Sequence, residues 1–352
     1  MKRSALKHLA VLAFAAAAAF FSAAEDVAAQ TRVKYAQSGT GLIYLVTDVA
    51  RAKGFFKEEG LDPVEVLVLD GGARAAQAVL AGEAAFAPGF FHVVYSWTEG
   101  KLPEDRRFVA VSTTLSEFAL QIVASNDLMK RANITAQTSV DDRIRALKGA
   151  RIGISAPGAS TDTLLRMILP PRGLNPNTDI TMVPLGTGGP LLAGLEKGAV
   201  DAIVWLSPIP ETAEKRGVGR VLINQGRGDV PELRGFYYLG DFTTRQFIKQ
   251  NPKVVQAWLN GTAKAIKFIR ENPEQVVELA KTMYPDADQS VLPDAVRSMI
   301  AAVPSTPLVT EKGVQQNFDM MSVGKPNKIS VPFRQVVDNT FAEAATKSIL
   351  GK

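Results

Sequence analysis

Four short turns in this sequence are rich in glycine and small hydroxyl residues: 38–41 (SGTG), 71–73 (GGA), 158–161 (GAST) and 186–189 (GTGG). Glycine lets a backbone approach a ligand closely and a hydroxyl can donate or accept, so such turns can hold an oxyanion or another small polar group. Where a turn opens a helix, the unpaired N–H groups and the positive end of the helix dipole add to that attraction. The same residues also make N-caps, each contributing about 1 kcal/mol to helix stability, and the two roles can coexist. Candidate ligand contacts are therefore Ser38, Gly39 and Thr40 in the first turn and Gly71 and Gly72 in the second. The third turn offers Ser160 and Thr161, the fourth Gly186 and Thr187. Phe90, Phe91 and Trp205 close apolar runs and could line the apolar or planar body of a ligand. Glu117 could receive an amine or a heterocyclic N–H.

Composition removes other chemistries. There is no cysteine, and the two histidines are His8 and His92. Thiol catalysis is excluded, a His/Cys zinc site has too few ligands, and a Ser-His-Asp arrangement would rest on His92 without a G-x-S-x-G turn. No catalytic residue, metal or cofactor is expected. The formal net charge is +5, but the 40 Lys and Arg are scattered, which argues against a nucleic-acid partner.

The elements that must position these turns alternate. TRVKYAQ reads as a strand, residues 42–53 as a helix ending at Gly54, DPVEVLVLD as a strand, residues 74–81 as a helix closed by Gly82, and AAFAPG as a buried strand. Beyond Lys148 the order returns: ARIGISA, a helix over 161–169, ITMVPL, a helix over 190–197 stopping at Gly198, then DAIVWLSP. Laying AVLAGEAAFA over GLEKGAVDAI aligns Gly82 with Gly198. Short apolar strands followed by helices are the signature of parallel βαβ units, and two such units in succession predict two lobes. From Asn251 the chain is mainly helical, with Val255, Trp258, Leu259, Ile266 and Ile269 on one packing stripe.

At the N-terminus, Lys2, Arg3 and Lys7 precede an apolar stretch over 9–21 and then small residues. This predicts a signal peptide cleaved after Ala29, with the bond after Ala24 as second choice. Without cysteine there is no lipid anchor at the cleavage site, so a freely soluble periplasmic protein is expected.

Residues 44–89, YLVTDVARAKGFFKEEGLDPVEVLVLDGGARAAQAVLAGEAAFAPG, resemble the solute-binding proteins of ABC importers in the nitrate, sulfonate, taurine and thiamine-precursor group. Gly54, Phe55, Phe56, Gly60 and Leu61 reproduce the family's Gly-Phe-Phe-x-x-x-Gly-Leu sequence. LKGARIGISAPGAS, LEKGAVDAIVWLSP and FRQVVDNTFAEAA extend the likeness over nearly the whole chain beyond Ala29. The resemblance implies a two-lobed, type II-like periplasmic-binding-protein fold, α/β, each lobe a doubly wound, mostly parallel sheet with the ligand cleft between lobes. The expected lobes are 30–116 plus 235–352, with the C-terminal helices, and 117–234. It also implies capture of a small-molecule ligand by hinge closure and delivery to an ABC permease and its ATPase, by a monomer. A small organic anion, a sulfonate or an aromatic carboxylate, is the preferred ligand. Alternatives are a pyrimidine-like heterocycle, a sensory receptor and, less readily, an enzyme of the same fold. Family members often carry Asp where this chain has Ala85, while Asp201 keeps it in the second unit.

Overall fold

The structure, a computed structural model, describes residues 30–69, 71–323 and 325–352. The predicted signal peptide lies outside the described residues. Among these, no helix is long and apolar enough to cross a membrane.

Among the described residues, ten strands form a first, split sheet and a second, five-stranded sheet: β1 Thr31–Gln37, β2 Leu61–Val68, β3 Ala87–Pro88, β4 Phe108–Ala110, β5 Gln121–Ser125, β6 Arg151–Ile154, β7 Thr181–Pro184, β8 Ala202–Trp205, β9 Gly219–Asn224 and β10 Asp241–Thr244. In the first sheet β1 pairs in parallel with β2 (Val33 opposite Val64), and β10 lies antiparallel between β3 and β4 (Phe242 opposite Ala87 and Ala110). A parallel bridge from Tyr35 to Phe86 joins the two parts, giving the order β2-β1-β3-β10-β4. The second sheet runs β7-β6-β8-β5-β9, with only β5 reversed. The two orders match strand for strand, the reversed strand being fourth in each.

That reversal follows from connectivity. The parallel strands of an open α/β sheet end at the ligand-bearing edge. A strand that arrives from the other sheet must start at that edge, and so runs the opposite way. β5 follows the passage out of the first sheet and β10 follows the return, and both are the antiparallel members.

Seven helices matter for the site: α1 Leu45–Ala52, α2 Gly72–Leu80, α3 Phe91–Thr98, α4 Ser160–Ile168, α5 Gly189–Glu196, α6 Pro252–Glu271 and α7 Glu311–Met321. The aligned glycines end α2 and α5 in the same way. Gly82 (φ 77°) and Gly198 (φ 65°) adopt the left-handed conformation, and the following N–H groups, of Glu83 and Ala199, reach back to Ala78 and Gly194, each at 2.9 Å. The third strand is shorter than AAFAPG suggests, only Ala87–Pro88, with Phe86 before it joined to Tyr35 by a parallel bridge.

Both faces of each sheet are covered, as a largely parallel sheet requires. In the second sheet Ile152, Ala202 and Val204 face one apolar cluster, while Val123 and Ile203 face another with Leu191 and Leu195 of α5. α7 spans the two units: Val314 and Phe318 pack in a cluster of the first sheet, Met320 in one of the second. The Asp201 noted above caps the amino end of β6, its carboxylate accepting the Arg151 N–H at 2.9 Å. Ala85 takes the matching backbone bond, to Lys34 O at 2.8 Å, without the carboxylate. That difference sits at the sheet edge opposite the crossings and concerns strand ends.

Candidate functional site

Two segments pass between the sheets side by side. Leu115 bridges Leu239 in antiparallel fashion; the Thr114 and Leu115 N–H groups donate to Leu239 O at 2.8 and 2.9 Å, and the Tyr238 N–H donates to Leu115 O at 3.1 Å. Glu117 ties them further, its Oε1 accepting the Gly235 N–H at 3.1 Å. Burial pushes the Glu117 carboxyl above its usual range, against the lowering effect of that bond and of Arg234 and Lys312. Glu117 therefore stands where the two crossing segments are tied together.

Beside these crossings lies a partly open chamber of about 180 Å³. The first unit supplies Ile43, Phe90 and Phe91, the second Phe118 and Ser160. Phe236, Tyr238 and Leu239 at the return crossing, Asn317 and Met320 of α7, and Gly89 complete it. The rings are held against one another: Phe118 meets Phe236 edge-on at 4.6 Å and Tyr238 at 5.3 Å, and Phe90 meets Tyr237 at 4.9 Å. The wall is thus mostly hydrocarbon, with the Ser160 hydroxyl and the Asn317 amide as its polar side-chain groups apart from the Tyr238 phenol. Asn317 is itself anchored, its Nδ2 donating to the carbonyls of Tyr237 and Gly313 at 2.8 Å each. Burial raises the Tyr238 phenol to about 12, with nearby Tyr44 as a smaller cause.

Phe91, Ser160 and Met320 also border a second, wider chamber of about 560 Å³. Its walls include Tyr95, Val323, Arg166 and Lys325. Arg166 Nε donates to Asp162 at 2.8 Å, and Asp162 also accepts the Gly158 N–H at 2.6 Å.

The structure brings Phe90, Phe91 and Ser160 together at the inner chamber. Ser160 opens α4, whose N-cap, Ala159, provides no side-chain cap, so the first turn keeps free N–H groups there. Its neighbour Thr161 is turned inward and fully buried, its Oγ1 accepting the Ser155 N–H at 3.0 Å and holding the turn. Ser38 pairs with the Tyr44 hydroxyl at 2.8 Å, and the Gly71 N–H donates to Ser38 O at 3.3 Å, so the first two turns adjoin each other. Gly72 is constrained by His92: a Cβ there would lie 2.6 Å from the imidazole Nε2. Gly39 is half-buried in the same loop as Ser38, and Thr40 borders a separate groove with Asp48 and Tyr284. Gly186 and Thr187 are exposed in the β7 to α5 turn. Trp205 packs against the Leu191 cluster. It shares the face of β8 with Ile203, and alternation along the strand points it away from the cluster that holds Phe118 and Phe236.

Phe118 lies on the outward crossing and Asn317 and Met320 on α7; no local motif marks them. Phe236 and Tyr238 flank the return crossing in the run GFYYLG, which is the one sequence signal that reaches the chamber from that side.

His92 gives a pH-dependent consequence. Burial lowers its pKa below the ordinary 6.5, so the unfolded chain binds the proton more tightly. Stability is then complete above 6.5 and declines as pH falls through that value toward the folded one. Thermal unfolding at about pH 7.5 and about pH 5.5 is expected to show a fall that shrinks in His92→Gln; equal falls in both proteins would assign the effect to other groups.

Two doubly wound sheets of matched order, joined by paired crossings and facing a shared chamber, define the periplasmic-binding-protein fold. Solved structures share it: the periplasmic aliphatic sulphonate binding protein SsuA from Escherichia coli (TM-score 0.64, 20% identity, 87% of this chain and 97% of that one) and the periplasmic nitrate-binding protein NrtA from Synechocystis PCC 6803 (TM-score 0.63, 14% identity, 91% and 89%). YtlA of Bacillus subtilis is 22% identical over 322 residues, 90% of each chain. The chain belongs to the NMT1-like family, whose model matches residues 45–284.

Proposed function

We propose that this protein is the solute-capturing component of an ABC importer, holding a small organic ligand between lobes 30–116 plus 235–352 and 117–234 and presenting it to a membrane permease. The observation that carries this reading is the chamber whose wall comes from both units and from the return crossing between them. A ligand that touches both units favours the closed arrangement by its differential contact with it, and capture then selects what fits. Family membership and the sulphonate- and nitrate-binding proteins of the same fold support the assignment. The predicted export signal agrees with a periplasmic location. Hydrocarbon walls with few polar groups suit the binding of a small organic ligand.

The test is native mass spectrometry of residues 30–352 purified gently from periplasm and challenged with a pooled library of small organic acids and neutral organics. One retained or selected adduct mass is expected; a protein that ignores the whole pool refutes capture of such solutes. Phe91 is 38% exposed and borders both chambers, so Phe91→Ala removes a wall without hollowing the core. It is expected to weaken the selected ligand about three- to tenfold, as one aromatic contact allows. Its unfolding midpoint should stay near that of the parent; a large stability loss with intact affinity would remove Phe91 from the site.

A further inference from the structure

Charge is distributed unevenly between the two chambers. The inner one is bordered by aromatic and aliphatic side chains, the Ser160 and Tyr238 hydroxyls and one anchored amide, and by no cation and no carboxylate. An ionised head group placed there would lose part of its hydration with no opposite charge to replace it, which disfavours it. At about 180 Å³ it is close to the roughly 150 Å³ apolar cavity that admits a benzene ring.

The outer chamber holds the cations. Arg166 is balanced by Asp162, the carboxylate on the same wall, at 2.8 Å. Lys325 has no carboxylate partner among the described residues, leaving one uncompensated positive charge. Ser160, at the uncapped start of α4, borders both chambers. Three of the four large apolar side chains exposed on the described surface, Phe91, Tyr95 and Val323, border this same chamber.

Resting on the capture reading above, we infer that the ligand is an amphiphilic monoanion bound body-first, with an apolar group about the size of one aromatic ring in the inner chamber and a carboxylate or sulfonate, on a short spacer, at Ser160, Arg166 and Lys325. The apolar walls of the outer chamber accommodate the spacer. A bare inorganic anion has nothing to fill the inner chamber and is a poor ligand.

The experiment is calorimetric titration of residues 30–352 with benzoate, phenylpropionate, phenylbutyrate, the neutral amide of phenylbutyrate, and methanesulfonate. Affinity is expected to rise from benzoate to phenylbutyrate, to fall about tenfold in the amide, and to be unmeasurable for methanesulfonate. Lys325→Ala is expected to weaken phenylbutyrate about three- to fivefold while leaving the amide unchanged, the size of one solvated ion pair, with Lys325→Arg restoring it. An amide that binds as tightly as its acid, or Lys325→Ala acting equally on both or on neither, overturns the polarity while capture stands. Methanesulfonate binding as tightly as phenylbutyrate overturns it too, placing the anion inside. If no member of the series binds and the pooled library also leaves the protein bare, both readings fall together.

Discussion

Trp258→Ala is expected to lower the unfolding free energy by about 3–5 kcal/mol. The indole is fully buried on α6 and stacks between Phe56, at 4.3 Å, and Phe86, at 4.7 Å, so truncation opens a cavity between two rings held in place from other elements. It also carries a hydrogen bond that truncation would orphan: Nε1 donates to Asp241 Oδ2 at 2.8 Å. The Asp241 carboxylate is buried without a cation and is held by three donors, this indole, the Tyr35 hydroxyl at 2.9 Å and the Ser112 hydroxyl at 3.0 Å. Burial still leaves it above the usual carboxylate range. Trp258→Phe separates the two contributions, keeping most of the stack and losing the donor, at about 1.5–3 kcal/mol for a bond to a charged acceptor. A carboxyl raised in the folded state favours folding most when protonated, and that contribution is lost as pH rises through its folded value. Removing one donor raises it further, so the Phe variant should lose more at about pH 7 than at about pH 4. Urea unfolding at both pH values, with slopes compared, reads this directly. A pH-independent loss would show that packing alone accounts for the site.

Gly240→Ala carries the second large effect. A Cβ at Gly240 would lie 1.9 Å from the Ser112 carbonyl oxygen and 2.6 Å from the Tyr237 ring. Neither can yield: both residues are buried, and the Tyr237 hydroxyl donates to that same carbonyl at 2.9 Å. Overpacked cores typically lose about 1–3 kcal/mol, and because the obstacle here is backbone, a loss beyond that range or failure to accumulate folded protein is expected. Gly240 also follows Tyr238 and Leu239, which border the inner chamber, so any folded fraction should bind ligand poorly. Gly39→Ala is the control: nothing lies within 4 Å of a Cβ there, and its cost should stay within about 0.5 kcal/mol. Comparing thermal midpoints of the two variants decides the matter. A Gly240→Ala protein that melts with the parent would mean the crossings are looser than their hydrogen bonds indicate.

The two substitutions bracket how the site is held. Trp258 and Asp241 join β1, β10, α6 and the start of the outward crossing, while Gly240 lets the return crossing press against Ser112. Between them, the crossings present Tyr238 and Leu239 to the chamber on a stiff base.

Local sequence determined much of this protein. Short apolar runs ending in small residues placed the strands, and Gly82 and Gly198 ended the matching helices, because a left-handed residue after a helix is a local requirement. The repeated order of those elements was enough to expect two similar units, and the strand-to-helix turns were enough to expect Ser160 at an open helix start. What only the tertiary structure decided is which faces meet. Thr161 looked equivalent to Ser160 but points into its own turn, since successive residues at a helix start diverge by about a quarter turn. Trp205 looked like a cleft aromatic, but pleat alternation gives it the Leu191 face. Phe118, Asn317 and Met320 reach the chamber from a crossing and from a helix at the far end of the chain. Periodicity tells each element which side to bury; it carries no information about which distant element will cover that side, and the chamber consists of such pairings.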